Sequence, residues 1–152
     1  MNITVISVGK IKEKYFTAAI DEYSKRLSRF AKLNIIEVAD EKIPDNASEK
    51  EMEQIKEKEG NKILAKLPQN SFVVTLCIEG KEHSSEELAK KIADISMTSS
   101  HITFIIGGSL GLSNTVKSKS ALRLSFGKMT LPHQLMRVVL LEQIYRAFKI
   151  NN

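Results

Sequence analysis

The stretch His101-Ile102-Thr103-Phe104-Ile105-Ile106-Gly107-Gly108-Ser109-Leu110-Gly111-Leu112-Ser113 decides how this sequence folds. Its first six residues are rich in β-branched and apolar side chains and read as a strand. Three glycines follow within five residues, and Ser113 is placed to cap a short helix through about Ser120. The order strand, glycine loop, helix is the unit from which parallel sheets are built.

The same alternation runs outward in both directions. Ile3–Val8 reads as a strand ended by Gly9, and Lys12–Phe30 as a helix with Phe16, Ile20, Tyr23, Leu27 and Phe30 at helical spacing. Leu33–Val38 is a second strand. Ser48–Lys66 is a charged helix with Met52, Ile55, Ile63 and Leu64 as a narrow apolar stripe, its Glu and Lys residues forming a solvated face. Phe72–Ile78 is apolar nearly throughout, as a strand covered on both faces must be. Ser84 and Glu87 form a capping-box pattern that opens a helix to about Ser96. Beyond the quoted stretch, Leu122–Ser125 is a fifth strand and Pro132 begins a helix running to about Lys149. The expected fold class is α/β, a mostly parallel sheet flanked by helices, with residues 1–152 forming one domain: no repeat, low-complexity tract or Pro/Gly-rich linker divides them.

Composition narrows the function classes. The lone Cys77 lies in an apolar run, which predicts a buried, unreactive thiol, and no Cys/His spacing suits a metal. The N-terminus lacks a signal-peptide layout and no apolar run approaches a membrane span, so the expectation is a soluble, reduced, cytoplasmic protein. The net charge of +5 is unevenly placed: residues 101–152 carry seven basic side chains against the single Glu142. Such a region suits a polyanion such as RNA, and equally a plain solvated basic surface.

Three segments could carry chemistry. The Gly107–Gly111 loop sits where open parallel sheets bind ligands, and its glycines leave backbone N–H groups free to donate. Its spacing is neither that of dinucleotide enzymes nor of a P-loop, and a tight turn would use the same residues. Phe126–His133 is a second strand-end loop with one charged side chain, so a ligand there would be held by backbone groups and apolar walls. That suits an adenosyl group better than a triphosphate. The last helix is apolar on nearly all sides, which points to burial against a second subunit. Its polar residues fall on two rows, His133 with Arg137 and Glu142 with Arg146. Glu142–Arg146 suits a structural ion pair, His133 could simply start the helix, and each arginine should meet a carboxylate, a phosphate or solvent.

At these residues the sequence resembles the RlmH family. The segments VISVGKIKEKY, KEKEGNKILAKL, VTLCIEGK, FIIGGSLGL and KMTLPHQLMRVVLLEQIYRAFKI carry the resemblance, which spans essentially the whole chain. It implies a SPOUT-type fold with a C-terminal trefoil knot, which periodicity alone excludes by default. It also implies S-adenosylmethionine as methyl donor and a homodimer with its active sites at the interface. The implied substrate is N3 of a pseudouridine in the large-subunit rRNA of the assembled 70S ribosome. Carried over by position, the cofactor contacts fall on Leu76, Gly107, Phe126, Gly127, Lys128, Met129, Thr130 and Leu131. His133 is the implied proton acceptor. Arg137 and Arg146 are the implied binders of phosphate or of a developing anion, with Glu142 orienting Arg146. No metal is implied. Family chains continue past the last helix into a short tail with a Tyr-His pair and a basic residue. The sequence given stops at Asn152 without one, and absence of the tail implies reduced or lost activity, with fold and cofactor binding able to survive. Two other readings are a non-catalytic ribosome-binding module, favoured by the basic last third, and an enzyme using another nucleotide cofactor.

Overall fold

A computed structural model describes all 152 residues, Met1–Asn152. In chain order the elements are β1 (Asn2–Val8), α1 (Lys14–Leu27), β2 (Lys32–Val38), α2 (Glu49–Lys66), β3 (Phe72–Glu82), α3 (Ser85–Ser96), β4 (His101–Ile106), α4 (Asn114–Ser118), β5 (Leu122–Ser125) and α5 (His133–Asn151). The five strands form one sheet in the order β2-β1-β4-β3-β5, with every pairing parallel.

Alternate residues of the central strands supply two cores, as the pleat requires. Ile3 and Val5 of β1 and Ile102, Phe104 and Ile106 of β4 pack with Leu27 of α1, Leu88 and Ile92 of α3, and Leu140, Leu141 and Ile144 of α5. On the opposite face, Ile6, Val8 and Ile105 pack with Ile63 of α2 and Val116 of α4. No helix is long and apolar enough to cross a membrane. The caps read from sequence are present: the Ser84 side chain accepts from the Glu87 N–H, and the Glu87 carboxylate accepts from the Ser84 N–H. Ser48 and Glu51 form the same box at α2. Caps of this kind contribute about 1 kcal/mol each.

Two boundaries differ from the sequence reading for physical reasons. The α1 helix stops at Leu27, and Phe30, half-buried beyond its end, stacks on Phe148 at 5.9 Å. Strand β3 continues past Ile78 to Glu82. Leu76 and Lys81 both register against Leu124, so Cys77–Gly80 loop out between them. Gly80 permits this: a β-carbon there would lie 2.7 Å from the Arg123 carbonyl oxygen, so only glycine lets the returning strand approach β5.

Candidate functional site

The looped-out part of β3, the glycine loop after β4 and the connection from β5 to α5 all meet at the carboxyl ends of the strands. They enclose a cavity of about 460 Å³, within the usual range for small-molecule sites. Its lining includes Leu76–Glu79, Ile106–Leu112, Leu124, Phe126, Gly127, Met129, Thr130 and Leu131, with His133 and Met136 from the first turn of α5. Seven of the eight expected cofactor positions are therefore lining residues. The eighth, Lys128, is exposed and is not in the wall.

The loops are fixed by their own hydrogen bonds. Ser125 Oγ donates to the Ile78 carbonyl at 2.9 Å and accepts the Gly127 N–H at 3.1 Å, which ties the loop after β5 to the outlooped part of β3. The glycine loop closes on itself, with the Gly111 N–H donating to the Gly108 carbonyl at 3.0 Å. At one edge Lys117 Nζ meets Glu79 Oε1 at 2.6 Å, and that hydrogen bond holds the Glu79 carboxyl below its usual range. The cavity thus has apolar walls, a backbone-lined side and one ion pair of mixed sign. Cys77 borders it but is buried, and burial pushes its thiol up, away from the reactive thiolate.

Helix α5 keeps its four polar residues in the two rows read from the sequence, and the rows have different surroundings. His133 is half-buried at the cavity. Burial, followed by the nearby Arg137 charge, holds its imidazole below the ordinary value. Arg137 is one turn further on, 3% exposed, and already committed. Its Nη1 donates to Glu37 Oε2 at 2.7 Å, and its Nη2 donates to the Val8 and Gly9 carbonyls at 2.8 and 2.9 Å. That guanidinium locks α5 to the ends of β1 and β2 through both terminal nitrogens, while its Nε is buried without a partner. Glu142 and Arg146 form a bidentate pair, with Nε–Oε1 at 3.0 Å and Nη2–Oε2 at 3.1 Å. Arg146 is exposed, so solvent screens the pair and it adds little to stability. At 1.5 Å of rise per residue, Arg146 lies about 20 Å along the helix from His133. Within one chain the two rows do not converge on one point.

Sequence reasoning missed Glu37, the carboxylate that anchors Arg137, although a lone acid inside the apolar run Leu33–Val38 was a signal. It also missed Glu59, which sits on the Ile55–Ile63 stripe rather than on the solvated face of α2 and is 5% exposed. The Glu79–Lys117 pair could not be foreseen, because it joins two elements distant in sequence.

Comparison with known proteins gives a consistent picture. The family model described as "Predicted SPOUT methyltransferase" matches residues 1–152. The chain is 62% identical over 152 residues to ribosomal RNA large subunit methyltransferase H of Clostridium novyi, covering 99% of this chain and 96% of that one. It is 60% identical to the protein of the same name from Clostridioides difficile, covering 100% and 96%. Among solved structures, a tRNA (m1G37) methyltransferase from Aquifex aeolicus matches with a TM-score of 0.54 at 12% identity, over 96% of this chain and 70% of that one. A probable methylase family protein from Haemophilus influenzae gives 0.55 at 13%, over 99% and 68%. At those identities the structural likeness speaks for the fold alone.

Proposed function

The chain belongs to the SPOUT methyltransferase family, and from that premise we propose that it methylates N3 of a pseudouridine in large-subunit ribosomal RNA, on the assembled 70S ribosome, using S-adenosylmethionine. The observation that carries this reading is the cavity at the strand ends with His133 on its edge. Relatives at 60–64% identity are named for large-subunit rRNA methylation, which supports the substrate class.

The residues present fit the donor. Leu76, Leu124 and Leu131 offer apolar walls for an adenosine, the Gly107–Gly111 and Phe126–Leu131 backbones offer hydrogen bonds, and the Glu79–Lys117 pair offers both signs to an amino-acid group. When bound, S-adenosylmethionine supplies an electrophilic methyl that carries its own leaving group. The protein supplies alignment and a proton acceptor. The N3 imide must lose its proton as the new N–C bond forms, and His133, whose uncharged form burial favours, receives it. Arg137 acts by fixing the first turn of α5, and therefore the imidazole, rather than by touching RNA.

Arg146 and Glu142 belong to a second subunit's share of the site. A homodimer accounts for their distance from His133 along α5 and for Met129, 88% exposed at the cavity edge beside the half-exposed Ile78. The same reading gives the path from β4 to α5 the family's trefoil knot, supported by the loops around one cavity, and places the protein in the cytoplasm.

Labelled methyl transfer to intact 70S ribosomes, compared with free rRNA, tests the function. Methylation of ribosomes at a pseudouridine N3 is the expected result, and no transfer to either substrate would overturn it. Sedimentation should show a dimer at micromolar concentration.

The Gly107→Ala variant should fold normally and lose cofactor affinity. A β-carbon there would lie 2.8 Å from the Gly111 carbonyl carbon and 3.0 Å from its oxygen, so the closed loop must open. Overpacking of this kind costs about 1–3 kcal/mol, or roughly tenfold to a hundredfold in affinity. Calorimetry with S-adenosylmethionine reads it, and wild-type affinity would contradict the assignment of this loop to the cofactor.

A further inference from the structure

Glu59 is a buried carboxylate that the chemistry above does not use. It lies one turn from Ile55 and one turn from Ile63, both buried, on the face of α2 turned to the sheet. Its Oε2 accepts the Glu41 N–H at 2.9 Å. Its Oε1 is buried and has no partner, and it is aimed at the glycine loop. A β-carbon on Gly108 would lie 3.3 Å from that oxygen and 3.1 Å from Val8 Cγ1. The adjacent Gly60 packs so closely on the α4 cap just beyond the loop that a β-carbon there would meet Ser113 Oγ at 2.7 Å. Consecutive residues of α2 therefore back Gly108 within the loop and Ser113 just after it, while the front of the same loop lines the cavity.

We propose that Glu59 is a positioning residue for the cofactor cavity, holding the glycine loop in its cavity-lining shape while its carboxyl is neutral and releasing it on ionisation. The proposal rests on the cofactor part of the function argued above, not on the RNA substrate.

The surroundings favour the neutral form. The charged groups facing Glu59 are Asp40 and Glu41 from the connection after β2 and Lys62 from α2. Lys62 is engaged elsewhere, donating to Glu41 Oε2 at 2.6 Å and to the Ala39 carbonyl at 3.2 Å. Burial holds the Glu59 carboxyl above the usual carboxylate range, the Glu41 N–H opposes that, and the Asp40 and Glu41 charges add to it. A carboxylate formed here would leave Oε1 charged against Val8 and Gly108 without a donor, a costly state unless water enters. Water reaches Oε1 by shifting the loop, because that oxygen faces Gly108 and Val8, whereas the Asp40–Glu41 connection is bonded to Oε2 on the other side of the carboxyl. A cofactor that needs the closed loop then favours the protonated carboxyl, and the proton favours the cofactor by the same amount.

The sign follows directly. Because the folded carboxyl is held above its unfolded value, the folded state binds the proton more tightly, and stability is lost as pH rises from the ordinary glutamate range through the raised value. Affinity for S-adenosylmethionine should fall over the same rise. A one-unit difference in the Glu59 titration between free and bound protein is a tenfold change in affinity.

The experiment uses the full chain and two readouts. Calorimetry with S-adenosylmethionine from about pH 5 to about pH 9 should show the wild-type affinity falling roughly tenfold, whereas Glu59→Gln should stay tight and flat. The Gly108 and Gly111 amide signals in NMR should titrate with one midpoint in the wild type and not in Glu59→Gln. Thermal melting confirms that the variant folds, and if it does not, the wild-type NMR titration still decides. Identical pH profiles for the two proteins, or glycine amides that do not titrate above the ordinary glutamate range, would overturn the proposal. Failure to bind S-adenosylmethionine at any pH would instead overturn the cofactor reading, and the NMR titration would still test Glu59.

Discussion

His133→Gln should lower kcat for ribosome methylation by roughly a hundredfold to ten-thousandfold, the range that a positioned general base supplies. Glutamine keeps the size of the side chain and a hydrogen-bonding group but cannot take the N3 proton. Affinity for S-adenosylmethionine should change no more than a few-fold, because His133 sits at the edge of a cavity walled mostly by three loops. The pH dependence carries a separate signature. The wild-type rate should rise with pH through a midpoint below the ordinary imidazole value, since burial first and Arg137 second disfavour the charged ring. The stability contribution has a matching sign. The unfolded chain binds this proton more readily, so the contribution is present above the ordinary histidine value and is lost as pH falls. Single-turnover methylation of ribosomes measures both effects. A variant with the wild-type rate and the wild-type acid limb would remove His133 from the mechanism.

Arg137→Met should destabilise the protein by about 3 kcal/mol, combining two carbonyls left without donors and a Glu37 carboxylate left without its partner. The figure stays at the lower end for a broken ion pair because Glu37 is about one-third exposed and water can take it over. For a chain of this length the melting temperature should fall by roughly 6–12 °C. Arg137→Lys should recover only part of this. An ammonium is a point donor, whereas the fork spans a carboxylate on β2 and two carbonyls at the end of β1. Both variants should also lower kcat, since a β-carbon at Gly9 would be 3.8 Å from His133 Nε2 and 3.9 Å from Arg137 Nη2, so clamp and imidazole both border Gly9, and the Arg137 charge acts on the ring. Thermal melts with activity assays of the surviving folded fraction check this, and a melting point within about 2 °C of the wild type would refute the clamp.

Individual elements explain why some of this was legible in advance. The strands His101–Ile106 and Leu122–Ser125 were read with the bounds they have, because their apolar runs end at glycines or turn residues. Ser84 and Ser113 are legible as caps because capping is local: each accepts from an N–H three residues on. The two glycine-bearing loops were placed at strand ends by the same reasoning, and they line one cavity. Arg137 was legible as an arginine in need of a partner. What it meets is a side chain 100 residues away, and no periodicity within α5 could name it. Glu59 reads from sequence as one more solvated residue, because nine other charges lie on α2. Only the packing of α2 on the glycine loop distinguishes it from them.

By itself, then, the sequence determined the strand and helix order, the parallel α/β class, the family, and the loops that form the cavity. These depend on hydrophobic period, caps and glycine positions, which act within a few residues. The tertiary structure alone decided that Arg137 is a buried clamp, that Cys77–Gly80 loop out of β3, that Lys128 stands outside the cavity, and that Glu59 faces Gly108. Each of those depends on which distant groups share a low-dielectric space and whether a polar atom there finds a partner. Chain folding sets that, and no local pattern encodes it.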